Sequence, residues 1–206
     1  MYALVEDNSI TKIFPGPKGF EHNGNQYSPD IFFKWSKAEK EAIGLYEVTT
    51  DSTNYKDEQW YINTNESFTF NSGKVTRSWG TATPKKHTDT LWTEEDKTDG
   101  NIPEGKDVGD VAVEGLKTQL IRTIKQQAAG ILQDTDWYII RKADAGTAVP
   151  SSITTHRAAV RTKCAEMETS ITNASDTPAL ETLYTYTKQE DGSITRPLGE
   201  LPMLEA

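Results

Sequence analysis

Residues 132–167, LQDTDWYIIRKADAGTAVPSSITTHRAAVRTKCAEM, describe two amphipathic helices and the turn between them. Asp134, Thr135 and Asp136 offer side-chain oxygens to the free amides of a helix start, and Trp137, Ile140 and Ala143 or Asp144 follow at steps of three and four. Gly146 stops that helix, Pro150 forces the chain extended, and Ser151 or Ser152 can cap the next one. The second helix carries Ile153, Val160, Cys164, Met167 and Ile171, at steps of seven, four, three and four. So narrow an apolar stripe packs against one or two partner helices. It specifies a docking surface and assembly, and it specifies no chemistry.

Upstream of this pair, Leu116, Leu120, Ile124, Ala128 and Ile131 recur at helical steps from Val113 onward, with Ile121 and Leu132 widening the face. They predict a helix of about 20 residues, ~30 Å long. Gly130 near its end marks a close packing contact or the start of fraying. Downstream, Thr177-Pro178 opens a last short helix with proline at its first position, covering Ala179 to Leu183. A hairpin around Glu190-Asp191-Gly192 and the tail LGELPMLEA follow.

The first 80 residues read differently. Residues 2–14 alternate as an opening hairpin broken at Glu6-Asp7-Asn8, and His22-Asn23-Gly24-Asn25 supplies a second turn whose Asn-Gly pair accepts positive φ. Ser36 with Glu39 makes a capping box, and Gly44 ends the short helix before the strand-like Leu45-Tyr46-Glu47-Val48. A third hairpin is expected between Trp60 and Trp79, turning at Asn71-Ser72-Gly73. The expected class is α+β: a small, mostly antiparallel β domain with one short helix over 1–80, an extended acidic linker over 81–112, an α-helical domain over 113–187 and a C-terminal hairpin and tail over 188–206. The linker, rich in Gly, Pro, Thr and acid, holds Leu91-Trp92 as its one large apolar pair. It buries too little to offset the ordering of ~30 residues at ~1 to 2 kcal/mol each, so it should be extended or mobile unless a partner holds it.

The apolar share of 35% is low for a compact enzyme and implies a high surface-to-core ratio or burial against other chains. A net charge of -9 argues against nucleic acid as a partner, because phosphate binders concentrate Lys and Arg on one face. Residues 113–170 alone carry slightly more Lys and Arg than Asp and Glu. The single cysteine, Cys164, excludes an internal disulfide and reads as a small core residue. No stretch approaches the ~20 apolar residues of a membrane span, and the opening residues lack the pattern of a signal peptide. The expected site of synthesis is the cytoplasm, where the acceptor patterns Asn65-Glu66-Ser67 and Asn173-Ala174-Ser175 carry no glycan.

Candidate chemistry is sparse. His22, His87 and His156 share no metal-ligand spacing, and neither Asp107–Asp110 nor Asp134-Thr135-Asp136 continues as a calcium loop. Gly16-Pro17-Lys18-Gly19 has a proline where a phosphate loop needs amide donors. His156 and Cys164 stand two helical turns apart, ~12 Å, too far for a base and its nucleophile, and they read as a surface and a packing residue. Glu94-Glu95-Asp96 and Glu166/Glu168 could pair as glycosidic acids only in a rigid cleft, which the linker and a helix face do not promise. No cofactor, metal or catalytic residue is expected. Trp137 reads as core filling beneath the helix pair or as an interface anchor with Tyr138 on its rim. Arg141, Arg157 and Arg161 read as solvated positions or as bidentate partners for another subunit's carboxylates. With Val160, Cys164 and Met167 these residues form the expected interaction surface.

The segment TDWYIIRKADAGTAVPSSITTHRAAVR, Thr135 to Arg161, resembles the motif of the tail fibre assembly and tail assembly chaperone group of tailed bacteriophages: a Thr-Asp-Trp start, an Arg-Lys-Ala run, a proline and an Arg-Ala-Ala-Val-Arg helix. The opening MYALVEDNSITKIFPGPKGF, the block FFKWSKAEKEAIGLYEV and the ending ETLYTYTKQEDGSITRPLGELP look like tail-region proteins of contractile-tailed phages, so the likeness spans the chain except the acidic linker. The resemblance implies a place in the virion tail or in its assembly, tail fibre or baseplate subunits as partners, and no catalytic residues. It leaves three expectations: a structural protein incorporated at fibre or baseplate, an assembly chaperone released before the virion is complete, or an enzyme degrading envelope polysaccharide. The β-rich residues 1–80 exceed what a minimal chaperone needs and could form a docking head.

Overall fold

The computed structural model describes residues 1–204 and divides the chain into two compact units, Met1–Thr83 and Pro84 onward. The fold is mixed α+β: a curled sheet in the first unit and helices in the second.

In the first unit β1 (Tyr2–Glu6) and β2 (Ser9–Phe14) form the opening hairpin, with Asp7 and Asn8 both at positive φ in its turn. The hairpin β3 (Phe20–His22) and β4 (Asn25–Tyr27) turns at Asn23-Gly24, again with both at positive φ. These are the turn residues whose backbone twist matches that of paired strands. A helical turn that the sequence pattern did not announce, α1 (Ile31–Lys34), precedes α2 (Lys37–Ala42), which starts at the Ser36/Glu39 capping box. Then come β5 (Leu45–Thr50), β6 (Tyr61–Ile62), β7 (Ser67–Asn71) and β8 (Lys74–Ser78); the β7–β8 turn at Ser72-Gly73 again has both residues at positive φ. β6 stays out of this hairpin and forms a ribbon with β9 (Thr83–Pro84), the strand at which the unit ends.

The sheet order is β2-β1-β5-β8-β7; β1–β2, β1–β5 and β7–β8 pair antiparallel, and one pair departs from the mostly antiparallel expectation: β5 and β8 run parallel, with Val48 opposite Val75. The chain leaves β5, returns along the edge as β7 and folds back, so that β8 is inserted beside β5 in the same direction. Strand β1 is buried on both faces. Leu4 joins Phe14, Phe20, Ile31, Phe32 and Leu45 under the helices and the β3–β4 hairpin, whereas Ala3 and Val5 join Val75 on the other face. A bulge where Leu4 faces Lys12 and Val5 faces Ile10 adds one residue to β2, which puts Ile10 and Ile13 on the same side, against Val75 and its neighbours. Curling brings the edge strands β2 and β7 together over that second cluster. Gly44, at φ 77°, accepts at its carbonyl from the Val5 amide at 2.8 Å, and a Cβ there would stand 2.4 Å from the Val5 oxygen.

The second unit contains β10 (Thr90–Leu91), α3 (Glu94–Thr98), β11 (Val111–Val113), α4 (Leu116–Gln133), α5 (Asp136–Ala145), α6 (Ser151–Asn173), α7 (Thr177–Tyr184), β12 (Thr187–Lys188) and β13 (Ile194–Thr195). Helices α4 and α6 lie antiparallel: Lys117 reaches the Thr172 carbonyl, Lys125 pairs with Glu168, and Arg157 reaches the Leu132 carbonyl. Ile153, Val160, Cys164, Met167 and Ile171 are buried along α6, and Leu116, Ile124 and Ala128 are buried along α4. Gly130 is exposed with nothing near its Cβ position, so it marks no close contact, and α4 continues to Gln133. Asp176 caps α7 by accepting from the Ala179 amide at 2.8 Å, Leu180 is buried, and the tail folds back to bury Leu198. Glu205 and Ala206 of the expected tail lie outside the described residues.

The stretch expected as an extended linker, 81–112, is where the structure departs most from the sequence reading. It has its own strands and a helix, and from Pro84 it belongs to the second unit. The reason is a helix end that needs acceptors. The first amides of α4 have no partner within the helix. The Lys86 and His87 carbonyls accept from Leu116 and Lys117, while the Asp89 carboxylate accepts from the Gly115 amide at 2.7 Å and the Thr118 hydroxyl at 2.9 Å. Gly115 lets this segment approach, because a Cβ there would lie 2.3 Å from the Thr88 carbonyl carbon. Gly115→Ala should therefore lift residues 86–89 off the helix and cost about 2 kcal/mol or more. Hydrogen exchange will show it as lost protection at the amides of residue 115, Leu116 and Lys117, which residues 86–89 hold, with little change in the middle of α6; unchanged protection at those three amides would refute the assignment.

Candidate interaction surface

The junction of α4 and α5 is organised by a buried cation. Arg157, 7% exposed, donates from Nη1 to the Leu132 carbonyl and to the Thr135 hydroxyl oxygen, both at 2.6 Å, and its Nη2 stands 2.8 Å from an Asp136 carboxylate oxygen. Thr135, also buried, donates its hydroxyl to Leu132 at 2.9 Å. The Thr135 and Asp136 oxygens expected to cap α5 are thus engaged with Leu132 and Arg157, and Thr135 makes no side-chain cap. Nor do Ser151 and Ser152 cap α6: Pro150 occupies that place, and its carbonyl accepts from Thr154. Gly146, left-handed at φ 67°, ends α5 as expected.

Between these ends every residue of α5 is exposed or half-buried. Trp137 is 53%, Ile139 42% and Ile140 66% exposed. Tyr138 leans on the Trp137 ring with centroids 5.0 Å apart, and the Arg141 guanidinium lies over that ring at 5.2 Å. Trp137, Ile140, Arg141 and Asp144 line a shallow apolar notch of about 290 Å³. Core filling, the first reading of Trp137, is therefore corrected: the side chain is half in solvent, because α4 already covers α6 and leaves α5 nothing to pack on.

The eight residues expected to form one surface separate. Trp137, Tyr138 and Arg141 are together on α5. Val160, Cys164 and Met167 are interior to the α4–α6 seam, and Arg157 is consumed by its contacts within the chain, so these four leave the candidate surface. Arg161 is exposed on α6 and reaches the Arg157 carbonyl at 3.5 Å. Ile139, which the sequence reading passed over because it falls off the Trp137–Ile140 step, belongs to the exposed set. His156 also corrects its expected surface position: it is buried beside Arg157, and its Nε2 finds no hydrogen-bond partner among the described residues.

Two further polar arrangements stand apart from α5. His22, at the end of β3, is buried: the Asn23 amide donates to its Nε2 at 3.1 Å, which puts the ring proton on Nδ1, 3.1 Å from Glu6. With Asp7, Asn25 and Tyr27 these residues line an open polar cleft of about 620 Å³. Glu94, Glu95 and Asp96 form the first turn of α3, where Asp96 accepts from the Thr93 hydroxyl and amide and is held below the usual carboxylate range by those bonds. That carboxylate serves as a helix cap. Among the described residues no three of His, Cys, Asp and Glu are grouped to hold a metal ion, and no helix is long and apolar enough to cross a membrane. Compared with protein-family models, curated proteins and solved structures, the chain matches none.

Two expectations follow from this geometry. Trp137→Ala should shift the denaturation midpoint by less than about 0.5 kcal/mol, whereas Arg157→Ala should cost about 2 to 4 kcal/mol by removing the buried guanidinium that ties Leu132, Thr135 and Asp136 together. The reverse ranking in urea melts would place the Trp in the core after all. Burial, and then the neighbouring Glu168 carboxylate that its Sγ meets at 3.5 Å, raises the Cys164 thiol above its ordinary range. A thiol reagent at pH 8 should therefore label the folded chain slowly and the denatured chain at once; prompt labelling of the folded form would contradict this placement.

Proposed function

We propose that this chain is a structural component of a bacteriophage tail, made in the host cytoplasm and seated at the fibre or baseplate, which acts by binding other tail subunits and catalyses no reaction. The observation that carries the reading is α5, a helix fixed at its start by Arg157 and ended by Gly146, yet with Trp137, Ile139 and Ile140 left in water. An exposed apolar cluster of this kind on one helix is the mark of a contact surface, with Trp and Arg as the residue types that dominate such contacts. The resemblance of Thr135–Arg161 to the tail assembly group supports the setting, since those residues span α5 and the first half of α6. A net charge of -9 favours protein over nucleic acid as the partner.

Mass spectrometry of purified virions tests this. Peptides at a fixed ratio to a fibre or baseplate subunit are expected from wild-type particles, with a marked loss of incorporation for Trp137→Ala at equal expression. Presence in infected cells but absence from finished particles would replace this reading with that of an assembly chaperone released on completion. Virions that carry the chain normally despite Trp137→Ala would remove α5 from the contact.

A further inference from the structure

Resting on α5 as a contact surface, we infer that its partner is a groove in a different protein, with an apolar floor and carboxylates along both lips. At about 100° per residue, Ile139, Ala143, Ile140 and Trp137 follow one another around the helix over an arc of about 160°. A flat neighbour covers roughly the 100° stripe of an ordinary surface helix. The wider arc, on a helix with no residue fully buried, calls for a concave receptor that closes over both sides, the arrangement in which an amphipathic helix lies in an apolar groove.

The charges bracket that arc. Arg141 stands about 40° beyond Trp137 and Lys142 about 60° beyond Ile139, so a cation flanks each apolar edge. Both are exposed, and among the described residues neither forms an ion pair. Asp136 and Asp144 fall within that arc, in the first and last turns of α5, and bound the patch lengthwise; Asp136 is already paired with Arg157. The complement is acidic on both sides of the floor. A second copy of α5 meets neither requirement. Facing helices would set Arg141 and Lys142 against their own equivalents, and ten residues, about 15 Å of helix, fall short of the ~1,000 Å² that a stable dimer buries.

The test uses the full chain supplied to an infected culture with a photo-crosslinking benzophenone side chain at position 137, 139 or 140, and at exposed Thr162 on α6 as a control. Crosslinks from 137 and 139 should reach one and the same foreign protein, at separate peptides that carry Asp and Glu, with little adduct from 162. Arg141→Glu with Lys142→Glu should lower the yield about tenfold while leaving the melting curve unchanged. An adduct of twice the chain's mass, different proteins from 137 and 139, or a yield indifferent to the double reversal would overturn the groove while leaving α5 as a contact. No adduct from any α5 position would overturn the contact reading itself.

Discussion

Apolar surface in the helical unit is limited, and the antiparallel seam between α4 and α6 takes most of it. The stripe on α6 is only two positions wide, so it accommodates one neighbouring helix along its length. That neighbour is α4, whose Leu116, Ile124 and Ala128 are buried along the same seam. Once the seam is closed, α5, which connects the two, meets no uncovered apolar stripe. Its exposure therefore follows from competition among helices for one surface. The chain's low apolar share of 35% leaves little to bury it elsewhere.

Arg157 makes that outcome directional. A guanidinium at 7% exposure is costly unless its donors are satisfied, and here they meet a carbonyl, a hydroxyl and a half-exposed carboxylate, all at the α4–α5 corner. Such a group adds little net stability, but it fixes where the corner lies, since any other placement of Thr135 and Asp136 leaves a buried charge without acceptors. The same contacts deprive α5 of the side-chain cap its sequence advertises. Alternative folds of the corner are thereby penalised, and the angle at which α5 leaves the seam is set by a side chain from a helix that follows it in the chain.

What could be read from the sequence was what is decided within a few residues. Asp7-Asn8, Asn23-Gly24 and Ser72-Gly73 turn as their backbone tolerance requires, and Ser36 with Glu39 caps as spaced. The α6 stripe was legible position by position. Its cover was not, because a period of 3.6 names a face and is silent on what lies against it. Hence Val160, Cys164 and Met167 carried the same signature as an interface and turned out to be interior, while Trp137 carried the signature of a core and turned out to be exposed. Asp89 lies 26 residues before the amide it caps, and β8 is placed beside β5 by the return of β7. Neither leaves a mark within a window of a dozen residues. In Arg157 the guanidinium pattern was visible, but its carboxylate partner was sought in another subunit when it stood on the preceding helix.

Keeping three large apolar side chains in water carries a liability that the rest of the chain offsets. A net charge of -9 spread over most of the sequence keeps copies apart and suppresses indiscriminate association through the exposed helix. Residues 113–170, with their slight excess of Lys and Arg, run against that background, and Arg141 and Lys142 place two of those cations at the edges of the apolar arc. Apolar area alone would reward any greasy neighbour. Cations at its margins reward a neighbour that supplies carboxylates on either side and penalise one that presents further cations. In the proposed contact selectivity comes from the charged margins, and the Arg141 guanidinium, lying over the Trp137 ring, joins one margin to the edge of the apolar arc.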